Sequence, residues 1–309
     1  MHPRVRFQAD WGGANLTRVS GWLAQWLWEQ TDGRIRSAIL NGRGMGDNLR
    51  ALTAGEVDIA VLTPTVYAAH AHAGTGPYEG APATHLRGLA VLPHRDAMIA
   101  VARAGLGFAR LSDAAGAGPL RVGLGLGGPD GFMGHAAEVL LDAAGIPVAS
   151  IQARGGTLVR HESPFDVLGE LIDGNVDLAI SEAVMAPAWQ RLSGVVHLGL
   201  DDAEALAVRA AGFDTFELES GRLPGQRRAL QVLDYSGWAV LTTDALDDEV
   251  AALIARAVCT HAGAIERHYR HLPVEASPLT YPVTATDAAR MPLPLHPAAA
   301  AEYDRHGAR

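Results

Sequence analysis

The chain has 309 residues, 48% hydrophobic and 19% charged, a balance that describes a folded protein long enough for two cores rather than a disordered chain. Its net charge of −9 argues against nucleic acid as the main partner. All 25 basic residues are arginine, so a lysine Schiff base, a pyridoxal phosphate anchor and a phosphate-loop lysine are excluded; a guanidinium stays protonated and cannot substitute.

Val5 to Ala9 reads as a strand, and Leu16 to Gln30 as a helix with apolar residues at Leu16, Val19, Leu23, Trp26 and Leu27. Ile35 to Leu40 is the next strand, followed by a loop from Asn41 to Asn48 that opens a second helix. Ile59 to Leu62 is a third strand, after which Thr63 is expected to cap a short helix starting at Pro64. Strands follow at Leu86 to Leu92 and Ala97 to Ala102, and the chain is expected to cross into a second lobe between Pro93 and Asp96. There, Leu120 to Leu124 is a strand, Gly125 to Gly131 a glycine loop, and Phe132 to Ala144 a helix stopped by Gly145 and Pro147. Phe165 to Asp173 is a helix, with strands at Leu178 to Ser181 and Val195 to Leu198. Leu230 to Thr242 carries the chain back, and Asp247 to Arg270 forms one long helix. A proline-rich tail ends in a short helix from Ala298. The alternation of strands and helices predicts an α/β fold.

One segment occurs twice. Leu49, Leu52, Gly55, Val57, Asp58 and Ala60 recur as Leu168, Leu171, Gly174, Val176, Asp177 and Ala179 at a constant offset of 119 residues. Each copy reads as a helix stopped by a glycine, then a buried strand. The repeat predicts two similar lobes, the first discontinuous (1–94 and 235–309) and the second continuous (95–234), with a ligand cleft between them. Asp58 and Asp177 precede strands in both copies and are expected to be structural.

Three loops follow strands and open helices. They hold Gly13 and Asn15, Asn41 and Asn48, and Gly128, Asp130 and Gly131. Either their N–H groups at the helix starts receive an anion, or the glycines serve tight turns only. Arg43, Arg95 and Arg154 are candidates for pairing a carboxylate through two parallel hydrogen bonds. Thr63, Thr65, Ser181 and Tyr235 are candidate hydroxyl contacts. Gly123-Leu-Gly125-Leu-Gly127-Gly128 matches a dinucleotide fingerprint in letters, but no acidic residue closes a strand about 20 residues later. No cofactor is expected.

His70 and His72 are two apart on a helix and do not share a face; His268 and His271 have no third ligand nearby, so no metal site is expected. Cys259, the lone cysteine, reads as a core residue. No run of about 18 apolar residues predicts a membrane span. No apolar leader precedes the first strand. The expected location is therefore the periplasm if an export signal has been removed, and the cytoplasm if Met1 is the start.

The chain resembles the TAXI-type solute-binding subunits of tripartite ATP-independent periplasmic (TRAP) transporters. The resemblance rests on Asp47-Asn48-Leu49-Arg50 through Gly55-Glu56-Val57-Asp58-Ile59-Ala60, Leu223-Pro224-Gly225-Gln226, Val240 to Val250, and Pro294-Leu295-His296-Pro297 through Tyr303, in that order. It implies a two-lobed type II periplasmic-binding-protein fold, of the Venus-flytrap kind, that closes on a small solute. By resemblance that solute is a carboxylate such as glutamate or 2-oxoglutarate, delivered unchanged to a membrane permease pair. Gly13, Asn15, Asn41, Asn48 and the 128–131 loop are the positions carried over. Two features depart from the family: Leu223 stands where an aromatic residue is usual, and the first loop is poorer in glycine. The rival readings are a cytosolic lyase or decarboxylase using Asp130, Glu182 or a histidine, and a soluble ligand sensor.

Overall fold

The computed structural model describes residues 4–12, 14–183, 187–273 and 277–308. The chain divides into two compact units, Met1–Arg95 with Ser236–Arg309, and Asp96–Tyr235.

In the first unit, strands β1 (Arg4–Gln8), β2 (Arg36–Leu40), β3 (Ile59–Leu62), β4 (Leu86–Leu92) and β12 (Trp238–Thr243) form a sheet of order β2-β1-β3-β12-β4. The first three are parallel; β12 runs antiparallel to both β3 and β4. Helix α1 (Asn15–Gln30) buries Leu16, Val19, Leu23 and Leu27, the spacing its sequence predicts. Helix α8 (Asp248–Arg267) buries Val250, Ile254, Val258 and Ile265 in the same core. Helices α2 (Gly46–Thr53) and α3 (Val66–Ala73) follow β2 and β3.

The second unit repeats this plan. Strands β5 (Ala97–Arg103), β6 (Arg121–Gly125), β7 (Thr157–His161) and β8 (Leu178–Glu182) run in the order β5-β8-β6-β7, with β6 parallel to β7 and β8 and antiparallel β5 on the flank. Strands β9 (Val195–Leu198), β10 (Thr215–Leu218) and β11 (Leu230–Asp234) extend the sheet beyond β5. Helices α4 (Phe132–Ala143), α5 (Val148–Ala153), α6 (Pro164–Ile172) and α7 (Asp202–Ala210) complete the unit.

The duplicated segment is the seam of each unit. Gly55 and Gly174 take φ values of +71° and +78°, which a side chain resists. In each copy the residue after the glycine donates back to the helix, Glu56 N–H to Ala51 O and Asn175 N–H to Glu170 O, both 2.9 Å. Asp58 receives the main-chain N–H of Arg6 at 2.7 Å and the Arg6 Nη2 at 2.7 Å; Asp177 receives the same groups of Arg121 at 3.0 and 2.7 Å. Arg6 Nη2 also reaches Gly55 O at 3.2 Å, and Arg121 Nη1 reaches Gly174 O at 3.0 Å. Each aspartate thus ties the start of one parallel strand to the turn before its neighbour. The structural role expected of Asp58 and Asp177 is what they perform.

The remaining motifs of the resemblance also have local causes. The Gln226 amide nitrogen donates to the carbonyls of Leu218, Glu219 and Arg228, while its oxygen accepts from Leu223 N–H at 3.0 Å, which closes the Pro-Gly turn. In the tail, Leu295 bridges to Gly88 on β4, and His296 Nδ1 accepts the Ala298 N–H of the last helix, α9 (Pro297–Arg305), at 3.3 Å. A β-carbon at Gly88 would lie 2.6 Å from Met291, so glycine admits the tail there.

Candidate functional site

In an open α/β sheet, ligands are met by the loops beyond the carboxyl ends of the parallel strands. In the first unit those loops follow β1, β2 and β3. Asn48, fully buried, is their centre: its Nδ2 donates to Gln8 O, Ala9 O and Val61 O at 3.2, 2.9 and 2.8 Å. It thereby ties all three loops to one side chain. The Asn48 Oδ1 has no hydrogen-bond partner, nor do the buried hydroxyls of Thr63 and Thr65. Buried polar oxygens are rarely left unpaired, so this group is where a missing partner belongs. A β-carbon at Gly42 would lie 2.2 Å from Asn48 Oδ1, and one at Gly237 2.2 Å from Thr65 Oγ1; both glycines let backbone come close to these oxygens.

Several expected contacts have other roles. The α1 amino terminus is not open to an anion: Asp10 accepts Leu16 N–H at 2.8 Å and Thr17 N–H at 3.1 Å, with the Thr17 hydroxyl at 2.5 Å. The carboxylate already supplies the negative charge the helix dipole favours. Asn15 Oδ1 accepts from Tyr269 and Arg18 at 3.0 and 3.1 Å. Gly13 lies outside the described residues. Asn41 is exposed, with its carboxamide 3.0 Å from where a β-carbon of Gly12 would stand. Arg43 is half-buried against Asp47, its N–H on Asp47 Oδ2 at 2.9 Å and its Nε 3.7 Å from Oδ1. Thr63 does not cap the following helix through its side chain; α3 begins at Val66 with Thr65 at the boundary. Arg95 is exposed.

In the second unit, the β6–α4 loop holds Gly128, Asp130 and Gly131. A β-carbon at Gly131 would lie 2.0 Å from Leu126 O, and one at Gly134 2.2 Å from it, while Gly134 N–H donates to that same carbonyl at 3.0 Å. The tight turn therefore accounts for Gly131. Gly128 has φ +79° in open space. Ser181, expected as a hydroxyl contact, is fully buried and donates to Pro164 O at 3.4 Å. Arg154 is turned back on its own unit, Nε to Ser150 O at 3.2 Å and Nη1 to Ala115 O.

The sequence gives no hint of Asp96. It is buried, and its Oδ1 accepts Ala97 N–H at 2.7 Å and Ala183 N–H at 3.1 Å. Tyr235, also buried, donates its main-chain N–H to Asp96 O at 3.0 Å. Glu182 ends β8 beside this carboxylate. Burial, and then the Asp96 charge, push its carboxyl up to about 8. Its carbonyl accepts Trp189 Nε1 at 3.1 Å. Asp10 was equally missed, although an acidic residue just after a strand and before a helix is a recognisable capping signal. No cluster of three metal-ligating side chains occurs among the described residues.

Comparison with curated proteins gives no match in sequence. Solved structures do match. PhnD1 from Prochlorococcus marinus in complex with methylphosphonate has a TM-score of 0.54 and 9% identity, over 84% of this chain and 85% of that one. XAC2383 from Xanthomonas citri bound to chloride has a TM-score of 0.55 and 14% identity, over 99% of each chain. MatC from Rhodopseudomonas palustris with bound malate has a TM-score of 0.53 and 16% identity, over 98% of this chain and 97% of that one. These structures fix the fold as that of the type II periplasmic binding proteins, as the sequence reading expected. The pattern of the NMT1-like family matches residues 18–307, nearly the whole chain, and the protein belongs to that family.

Proposed function

We propose that this protein is a non-catalytic solute-binding protein that captures a small organic acid and hands it on unchanged. The observation that carries the reading is the trio of buried, unpartnered oxygens on Asn48, Thr63 and Thr65 at the strand ends of the first unit. Two hydroxyls can donate to a carboxylate, while the Asn48 oxygen asks for a donor on the ligand, such as a hydroxyl or amine. The malate held by MatC and the adipate held by a second R. palustris relative of this fold make a dicarboxylic or hydroxy acid the first choice. The motif resemblance supports the TAXI type, with delivery to a TRAP permease from the periplasm. An adjacent fused TRAP permease gene and an upstream export signal are the corresponding checks.

The direct test is a thermal-shift panel of C4 to C6 dicarboxylates, hydroxy acids, glutamate and 2-oxoglutarate. Binding to the native state raises the melting temperature in proportion to ligand excess. One member should raise it by several degrees. A flat response across the panel, or turnover of a bound acid, refutes the reading.

A further inference from the structure

Helices α1 and α8 carry a feature that the strand-end site does not use. Trp26 Nε1 donates to Leu253 O at 2.8 Å, and its indole stacks on His261 with centroids 4.8 Å apart and planes at 26°. Beside this stack runs a groove of about 720 Å³, a volume typical of small-ligand pockets, whose walls also hold Arg18, Gly21, Trp22 and Arg267.

Two observations point to an occupant. First, charge: the two guanidiniums face one carboxylate, Glu29, which already accepts from Gln25 at 2.8 Å. This is a cationic groove on a chain whose net charge is −9. Arg18 is steadied by Asn15 Oδ1 at 3.1 Å and by the Tyr269 ring, 6.0 Å from its guanidinium. Second, Gly21 lies in the interior of α1, where glycine destabilises a helix relative to alanine, yet nothing stands within 4 Å of where its β-carbon would be. Packing does not demand a glycine there, and the groove wall is open at this position.

We propose that this groove is a second binding site, for a flat aromatic carboxylate: the ring lies against Trp26 and His261, and the carboxylate is held by Arg18 and Arg267. The volume suits one small molecule, the stacked rings suit a planar body, and the paired guanidiniums suit a carboxylate. The site is separate from the strand-end oxygens and does not depend on the reading given to them.

The test uses 2-naphthoate, titrated into the full chain by calorimetry and followed by the indole N–H resonances. The expected result is saturable binding that shifts the Trp22 and Trp26 signals. Arg18→Gln and Arg267→Gln should each weaken it at least five-fold. Gly21→Leu should abolish it, and the companion Gly21→Ala should melt no lower than the parent, which separates a filled groove from a damaged helix. Absence of binding at millimolar naphthoate overturns the proposal. So does binding that survives Gly21→Leu but disappears in Thr63→Val with Thr65→Val, since the naphthoate would then occupy the strand-end site.

Discussion

Arg6 grips Asp58 with three of its own donors: the main-chain N–H and Nη2 at 2.7 Å and Nε at 3.1 Å. The contact is repeated by Arg121 on Asp177, with the main-chain N–H, Nε and Nη2 at 3.0, 3.1 and 2.7 Å. Burial raises the Asp58 carboxyl, but the Arg6 hydrogen bonds outweigh it and the net shift is downward. For Asp177 the Arg121 hydrogen bond dominates outright. A carboxyl lowered in the folded state stabilises the fold fully above its unfolded value, near 3.8 here, and loses that contribution as pH falls through the lowered folded value.

Asp58→Asn is therefore expected to cost about 1–2 kcal/mol at pH 7, the range for hydrogen bonds to a charged group discounted for a half-exposed guanidinium. The difference from the parent should shrink below pH 3. Urea unfolding at pH 7 and at pH 2.5 measures both. An equal cost at the two pH values would show that the ion pair is not the cause.

Asp10 occupies the amino terminus of α1. Asp10→Ala should lower stability by about 1–2 kcal/mol through loss of the cap. It should not create the carboxylate affinity of the strand-end site, because the freed N–H groups are not its proposed donors. Thermal melts with and without the best acid of the panel check the pair of statements.

The two threonines and Asn48 should separate binding from folding. Thr63→Val and Thr65→Val remove hydroxyls with no partner in the empty protein, so each should change stability by less than about 1 kcal/mol while weakening the ligand about ten-fold. Asn48→Ala strips the donor from three carbonyls and should cost about 1–3 kcal/mol before any ligand is added. A threonine variant that binds as tightly as the parent would remove that residue from the site.

Glu182 gives the opposite pH signature from Asp58. Its carboxyl is raised in the fold to about 8, so the fold is favoured below the ordinary value of 4.5 and loses stability as pH rises from there through about 8. Glu182→Gln, which stays neutral, should match the parent near pH 5 and exceed it in stability at pH 9. Guanidinium unfolding of both proteins at pH 5, 7 and 9 tests this.

The local rules of the chain were legible in its letters. Leu16, Val19, Leu23 and Leu27 gave α1 by their spacing, and the recurring Leu–Gly–Val–Asp segment announced two units built alike. Other local elements were missed although their signals were present: α7 carries a capping box in which Asp201 accepts Glu204 N–H at 2.9 Å and Glu204 accepts Asp201 N–H at 2.8 Å. What no sequence window contained was which polar groups would find partners. Asn15 read as a loop residue open to a ligand, yet it met Tyr269, 254 positions away, and Asp10, which was not singled out, turned onto its own helix. Thr63 read as a cap and was left without a partner. Asp96 and Glu182 became neighbours because β5 and β8 pair across the sheet, with Met98 opposite Glu182. Periodicity and turn chemistry act over a few residues and are written in order. Satisfaction of a buried donor, or repulsion between two neighbouring carboxyls, depends on atoms brought within a few ångströms by the sheet, and only the folded chain decides that.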